Sequence, residues 1–135
     1  MAKDSASPPL APVWTARLEQ LFALRGPAPQ ALTELSNLAA DMPAILPSVA
    51  RIRARLEAVA MRGVDLDTVM FDASHGRTTM EYYDGFTFTF VADRAGWPPV
   101  ASGGRYDALT RLLGRGREIP VVGGMIRPGL VAELE

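Results

Sequence analysis

Apolar residues recur at helical spacing in the first part of the chain and at strand spacing in the second. Between Val13 and Leu24, the positions Trp14, Leu18, Leu21 and Phe22 share one helical face, and Arg25-Gly26-Pro27 supplies a stop signal. Leu32, Leu35 and Leu38 mark a second, shorter helix between Pro29 and the Asp41-Met42-Pro43 break. Pro47 suits the opening turn of a third helix, with Val49, Ile52, Leu56 and Val59 as its apolar stripe and Gly63 as its C-terminal cap. Arg51, Arg53 and Arg55 fall off that stripe, so a solvated helix face is preferred over an anion site.

After Gly63 the period becomes two. Thr68 to Phe71 reads as a short strand and Met80 to Val91 as a long one. Met80, Tyr82, Phe86, Phe88 and Phe90 share one parity, while Glu81, Tyr83, Thr87 and Thr89 share the other, giving an apolar face and a polar, half-open one. Asp84-Gly85 is compatible with a hairpin turn, but strand-forming residues continue beyond it, which favours a bulge or a close backbone approach. Val100-Ala101-Ser102 returns as a neighbouring strand. A short helix from Tyr106 or Asp107 to Leu113 follows, with Leu109, Leu112 and Leu113 inward and Gly114 as cap. Ile119 to Gly124 is a last strand, and Arg127-Pro128-Gly129 a closing turn. The predicted class is α+β: a helical N-terminal half beside a small, mainly antiparallel sheet carrying residues 66–72, 79–92, 98–103 and 119–125. Residues 1–12, rich in proline and serine, read as a disordered tail; 13–63 form the helical region and 64–135 the sheet region.

Composition narrows the function classes. A chain of 135 residues fits one domain, and the 48% hydrophobic fraction suffices for a core. The net charge of -1 provides no field for gathering polyanions, so nucleic acid is not expected as a partner. The absence of cysteine excludes disulfides, thiolate metal sites and a cysteine nucleophile. No apolar run approaches the ~18 residues of a membrane span, and the first residues lack a signal-peptide centre. A soluble, cytoplasmic protein without membrane partner, cofactor or metal is expected.

Candidate chemistry concentrates in two stretches, Glu81-Tyr82-Tyr83-Asp84-Gly85-Phe86-Thr87-Phe88 and Ser102-Gly103-Gly104-Arg105-Tyr106-Asp107-Ala108-Leu109. Glycines allow close backbone approach, and Tyr83 and Tyr106 offer phenol hydroxyls on flat rings, which suits a small planar polar group such as an imidazole. On the residues alone, half-buried sheet tyrosines and turn glycines remain the simpler reading. His75, the single histidine, reads as a solvated loop residue, and Asp65, Asp67 and Asp72 as cap and turn residues rather than a cation site. Gly114-x-Gly116 lacks the third glycine of a dinucleotide loop.

These stretches resemble a known family. EYYDGFTFTF is similar to the histidyl-tRNA synthetase signature LDYYTGTVFE, and SGGRYDALTRLLG to its second signature, GGGRYDGL, in the same order. The resemblance spans residues 64 to 130, about half the chain. It implies a fragment of the class II synthetase-like catalytic fold. Tyr83 and Tyr106 would line a histidine pocket, with Glu81, Thr87, Gly103, Gly104 and Arg105 around it. Two departures bear on activity. The arginine expected five residues before Tyr83 is Thr78, and the arginine of the closing motif is Leu130, with Arg127 nearby in a different turn. A neutral hydroxyl and an alkyl chain cannot stabilise charge on a transferring phosphate. Arg77 lies one residue from the first position, which in a strand places it on the opposite face. Histidine-pocket signatures without the ATP-handling arginines resemble the regulatory subunits of short-form ATP phosphoribosyltransferase. That resemblance implies no catalytic residue in this chain, a hetero-oligomer with the catalytic subunit, and L-histidine as effector. The residues that hold the amino group of histidine in the synthetases have no counterpart here, which implies half a site. A sheet with an uncovered edge near Phe86, Phe88 or Phe90 also leads us to expect self-association.

Overall fold

A computed structural model describes residues 9–75, 83–117 and 119–134. They divide into two compact units, one ending at Ser74 and one beginning at His75.

The first unit is mainly helical. Helix α1 (Pro12–Ala23) starts with proline in its first turn, where a missing N–H costs no hydrogen bond. Helix α2 (Ala28–Asp41) buries Ala28, Ala31, Leu35, Leu38 and Ala39, the i, i+3, i+4 pattern of one face. Helix α3 (Leu46–Ala60) buries Val49, and Gly63 ends the following turn at φ 81°, the left-handed conformation that glycine tolerates. Leu24, Ala31, Leu35, Ala39 and Val49 form the core, with Leu21, Ile45, Ile52 and Phe71 packed against it. The α3 arginines stay off this core: Arg51 bonds the Ser48 hydroxyl and Arg53 that of Ser36.

Four details differ from the sequence expectation. Trp14 and Phe22 are 45% and 59% exposed, because α1 buries no residue fully and Leu24, just beyond its end, enters the core instead. Arg25-Gly26-Pro27 stops α1 and is also strand β1 (Arg25–Pro27). It pairs antiparallel with β2 (Met70–Asp72), so the short strand joins this unit rather than the downstream sheet. That strand starts later than Thr68 because Asp65 accepts from the Asp67 amide and Thr68 donates to the Asp65 carbonyl, drawing 66–68 into a 3-10 turn. Asp72 accepts from the Ser74 amide and hydroxyl and pairs with Arg25 at 3.0 Å. The Ser74 hydroxyl, ahead of the Arg25 contact, holds the Asp72 carboxyl below the usual range.

The second unit is a three-stranded antiparallel sheet of β3 (Thr87–Phe90), β4 (Ala101–Arg105) and β5 (Val122–Ile126), with β4 central. Helix α4 (Asp107–Leu113) follows β4, and α5 (Pro128–Ala132) stands where a turn was expected, opened by Pro128 in its first turn. The register aligns Thr87, Gly104 and Gly123 in one row and Phe88, Gly103 and Gly124 in the next, on opposite faces. Strand β4 therefore carries both glycines inside the sheet, two residues beyond the predicted end, because their backbones pair on both sides. Gly85 lies at a bulge: the amides of Asp84 and Gly85 both donate to the Arg105 carbonyl, at 3.1 and 3.3 Å, and the Arg105 amide donates to Phe86. Strand pairing on β3 thus begins at Thr87; the predicted stretch 79–82 lies outside the described residues, as do Arg77, Thr78 and Glu81. Leu112 and Leu113, expected inward, are 78% and 75% exposed, since no described residue of this unit covers that face of α4. From His75 onward, Gly103 and Gly104 are the buried positions among the described residues. No helix among the described residues is long and apolar enough to cross a membrane.

Candidate functional site

The sheet face carrying Thr87, Gly104 and Gly123 is built as an aromatic platform. A Cβ placed on Gly104 would lie 2.8 Å from Tyr83 Cδ1, and one on Gly123 would lie 2.6 Å from the Tyr106 hydroxyl. Both rings therefore rest on bare backbone, which requires glycine at those two positions. Their centroids are 6.1 Å apart with planes tilted by 54°, within the distance range of interacting aromatic pairs. Strand parity placed Tyr83 and Thr87 on one face, and the structure brings Tyr83, Tyr106, Thr87 and Gly104 together there. Gly103 lies on the other face, under Phe88, and alternation along β4 gives Arg105 the parity of Gly103. Thr89 continues the Thr87 face, and its hydroxyl is 2.9 Å from His75 Nε2.

A network of charged groups surrounds the tyrosines. Tyr106 precedes α4 and offers the helix no side-chain cap. Asp84 supplies it instead: its carboxylate accepts from the Asp107 amide at 3.0 Å and from the Ala108 amide. Asp107 in turn receives two bonds from the Arg105 guanidinium, each at 2.6 Å, and one from the Val121 amide at 2.8 Å. The Arg105 bond, followed by the Val121 amide, holds the Asp107 carboxyl below its usual range. The Tyr106 amide donates to the Val121 carbonyl, so this tyrosine is tied to the segment entering β5.

This face carries two flat rings and the hydroxyls of Thr87 and Thr89, the latter against His75, groups that suit a small aromatic ligand with polar edges. Among the described residues no cluster of three histidine or acidic side chains is placed to hold a metal. Asp65 and Asp72 serve turns.

The sequence matches the family model of histidyl-tRNA synthetase over residues 4–127. The chain belongs to the histidyl-tRNA synthetase family. Within that family its relatives include an "ATP phosphoribosyltransferase regulatory subunit" of Agrobacterium fabrum, 43% identical over 108 residues, which covers 78% of this chain and 28% of that protein. A protein of the same name from Mesorhizobium japonicum is 35% identical over 109 residues, 80% of this chain and 29% of the relative. The Brucella ovis protein of that name is 35% identical over 78% of this chain and 28% of its own length. The chain thus spans less than a third of these relatives. No solved structure matches it significantly. At the position where the synthetase pattern has its closing arginine, Leu130 sits half-buried in α5. Arg127 is no replacement: its guanidinium donates to the Pro99 carbonyl at 3.0 Å.

Sequence reasoning did not single out Asp84, Asp107 or Gly123. Asp84 reads with Gly85 as a turn or bulge pair, and a carboxylate capping a helix 23 residues downstream leaves no local signature. Gly123 sits in an apolar strand, and only the register shows that Tyr106 lies over it.

Proposed function

We propose that this chain is part of a non-catalytic regulatory subunit of short-form ATP phosphoribosyltransferase, conveying histidine feedback to the first step of histidine biosynthesis. Its partner is the catalytic subunit, and L-histidine is the effector. The observation that carries this reading is a face with paired tyrosines in a chain of synthetase ancestry that has Leu130 in place of the closing arginine. Tyr83 and Tyr106 contact the imidazole through their ring faces and edges, and Thr87 offers it a hydroxyl. Relatives named as regulatory subunits support the assignment over an active synthetase, which needs positive charge at the transferring phosphate.

The test has two arms on the full-length protein. Histidine-dependent ATP/pyrophosphate exchange is expected to be absent. Mixing with the short catalytic subunit is expected to yield a complex whose phosphoribosyltransferase activity L-histidine inhibits. Exchange activity would establish a synthetase instead; neither exchange nor association would reduce the chain to an interaction domain without a ligand site.

A further inference from the structure

We infer that Asp84 is a positioning residue that holds Tyr83 and Tyr106 in their paired geometry before any ligand arrives. The inference deepens the histidine-site reading and rests on it for the identity of the ligand. Tyr83 is followed immediately by Asp84, and Tyr106 is flanked by Arg105 and Asp107. The two segments are joined twice around the rings. On the backbone side, the Asp84 and Gly85 amides converge on the Arg105 carbonyl. On the side-chain side, the Asp84 carboxylate receives the Asp107 and Ala108 amides. The result is a closed ring of hydrogen bonds with one tyrosine attached to each half. A charged acceptor on the first amides of a helix is among the stronger bonds available here, because those amides lack partners within the helix and carry the positive end of its dipole.

Among the described residues of the second unit the buried positions are glycines, not aliphatic side chains that would impose this arrangement. Position therefore depends on such bonds. Asp107 completes the frame through Arg105 and the Val121 amide, linking the tyrosine pair to β5, where Gly123 underlies Tyr106. Asp84 spends its carboxylate on the Asp107 and Ala108 amides and acts through the two rings.

The experiment compares the full-length protein with Asp84→Ala and Asp84→Asn, reading the nuclear Overhauser contact between the Tyr83 and Tyr106 rings and the affinity for L-histidine by calorimetry. In Asp84→Ala the ring contact is expected to weaken and L-histidine affinity to fall about ten- to a hundredfold, the loss of charge-assisted hydrogen bonds. Asp84→Asn keeps one acceptor oxygen and is expected to fall between. An unchanged ring contact in both variants overturns the proposal. Should the unsubstituted protein fail to bind L-histidine, the histidine reading fails, while the ring contact still decides the role of Asp84. If Asp84→Ala does not fold, Asp84→Asn alone decides: a weakened contact in a folded variant supports positioning, and a full-strength contact refutes it.

Discussion

The two units are stabilised by different physics. Before Ser74, aliphatic side chains from α2, α3 and the α1–β1 junction are packed out of water; Leu24, Leu35 and Leu38 are each at or below 5% exposure. After it, the sheet buries two glycines and leaves Phe90, Leu112, Leu113, Val122 and Ile126 more than half exposed. The first unit is held by non-directional burial and the second by directional bonds among Asp84, Arg105, Asp107 and the backbone. A packed core tolerates changes in surface charge. A bonded frame instead responds to protonation and to ligands.

The sharpest way to break the contrast is to hollow the core. Leu35→Ala should destabilise the first unit by about 2–5 kcal/mol, read by denaturant unfolding, because a buried leucine leaves both lost transfer energy and a cavity. A change below half of that range would mean that the unit does not depend on burial. Gly104→Ala should be next. The new Cβ would meet Phe86 O and Tyr83 Cδ1 at 2.8 Å, so the ring has to move, at about 1–3 kcal/mol and with loss of L-histidine affinity. Retained affinity would move the ligand face elsewhere.

Acid sharpens the comparison further. The Asp107 carboxyl titrates below its usual 3.8, so its bonds to Arg105 and Val121 add stability that is present above 3.8 and is lost as pH falls through the lowered value. Asp72 has the same sign in the first unit, through Ser74 and Arg25. The second unit should nonetheless loosen first on acidification, followed by amide exchange, and Asp107→Asn should remove its acid step. Simultaneous loss in both units would erase the distinction. The smallest stability effect belongs to the exposed leucines: Leu112→Ser with Leu113→Ser should change folding by no more than about 0.5 kcal/mol. The same pair should reduce concentration-dependent association in sedimentation, since it removes an apolar patch. Unchanged association would place the sticky surface on the phenylalanine face instead.

What could be read from sequence follows the same divide. The helices of the first unit declare themselves through leucines at helical spacing, and the end of α3 through Gly63, whereas Pro12, which reads with the tail, opens α1. Strand β1 was hidden because three residues, Arg-Gly-Pro, carry no periodicity and owe their conformation to pairing with Met70–Asp72. In the second unit, alternation put Tyr83 and Thr87 on one face, while the ends of β4 and β5 depended on partner strands that sequence does not display. The inward assignment of Leu112 and Leu113 failed because helical spacing identifies an apolar face without saying whether anything lies over it. The role of Asp84 needed three dimensions, as its partners stand 23 and 24 residues away.

Phe88 lies so close to the central strand that a Cβ on Gly103 would sit 2.5 Å from its Cζ, and one on Gly124 3.2 Å away. The α-protons of both glycines therefore lie within the ring current of that phenylalanine, and those of Gly104 within that of Tyr83. Glycine amides occupy their own region of a nitrogen-proton spectrum, so these residues are built-in spectroscopic labels, one pair for the Phe88 face and one position for the tyrosine face. Binding on the tyrosine face should displace the Gly104 resonances while leaving those of Gly103 and Gly124 nearly still, which makes the sheet its own two-sided sensor.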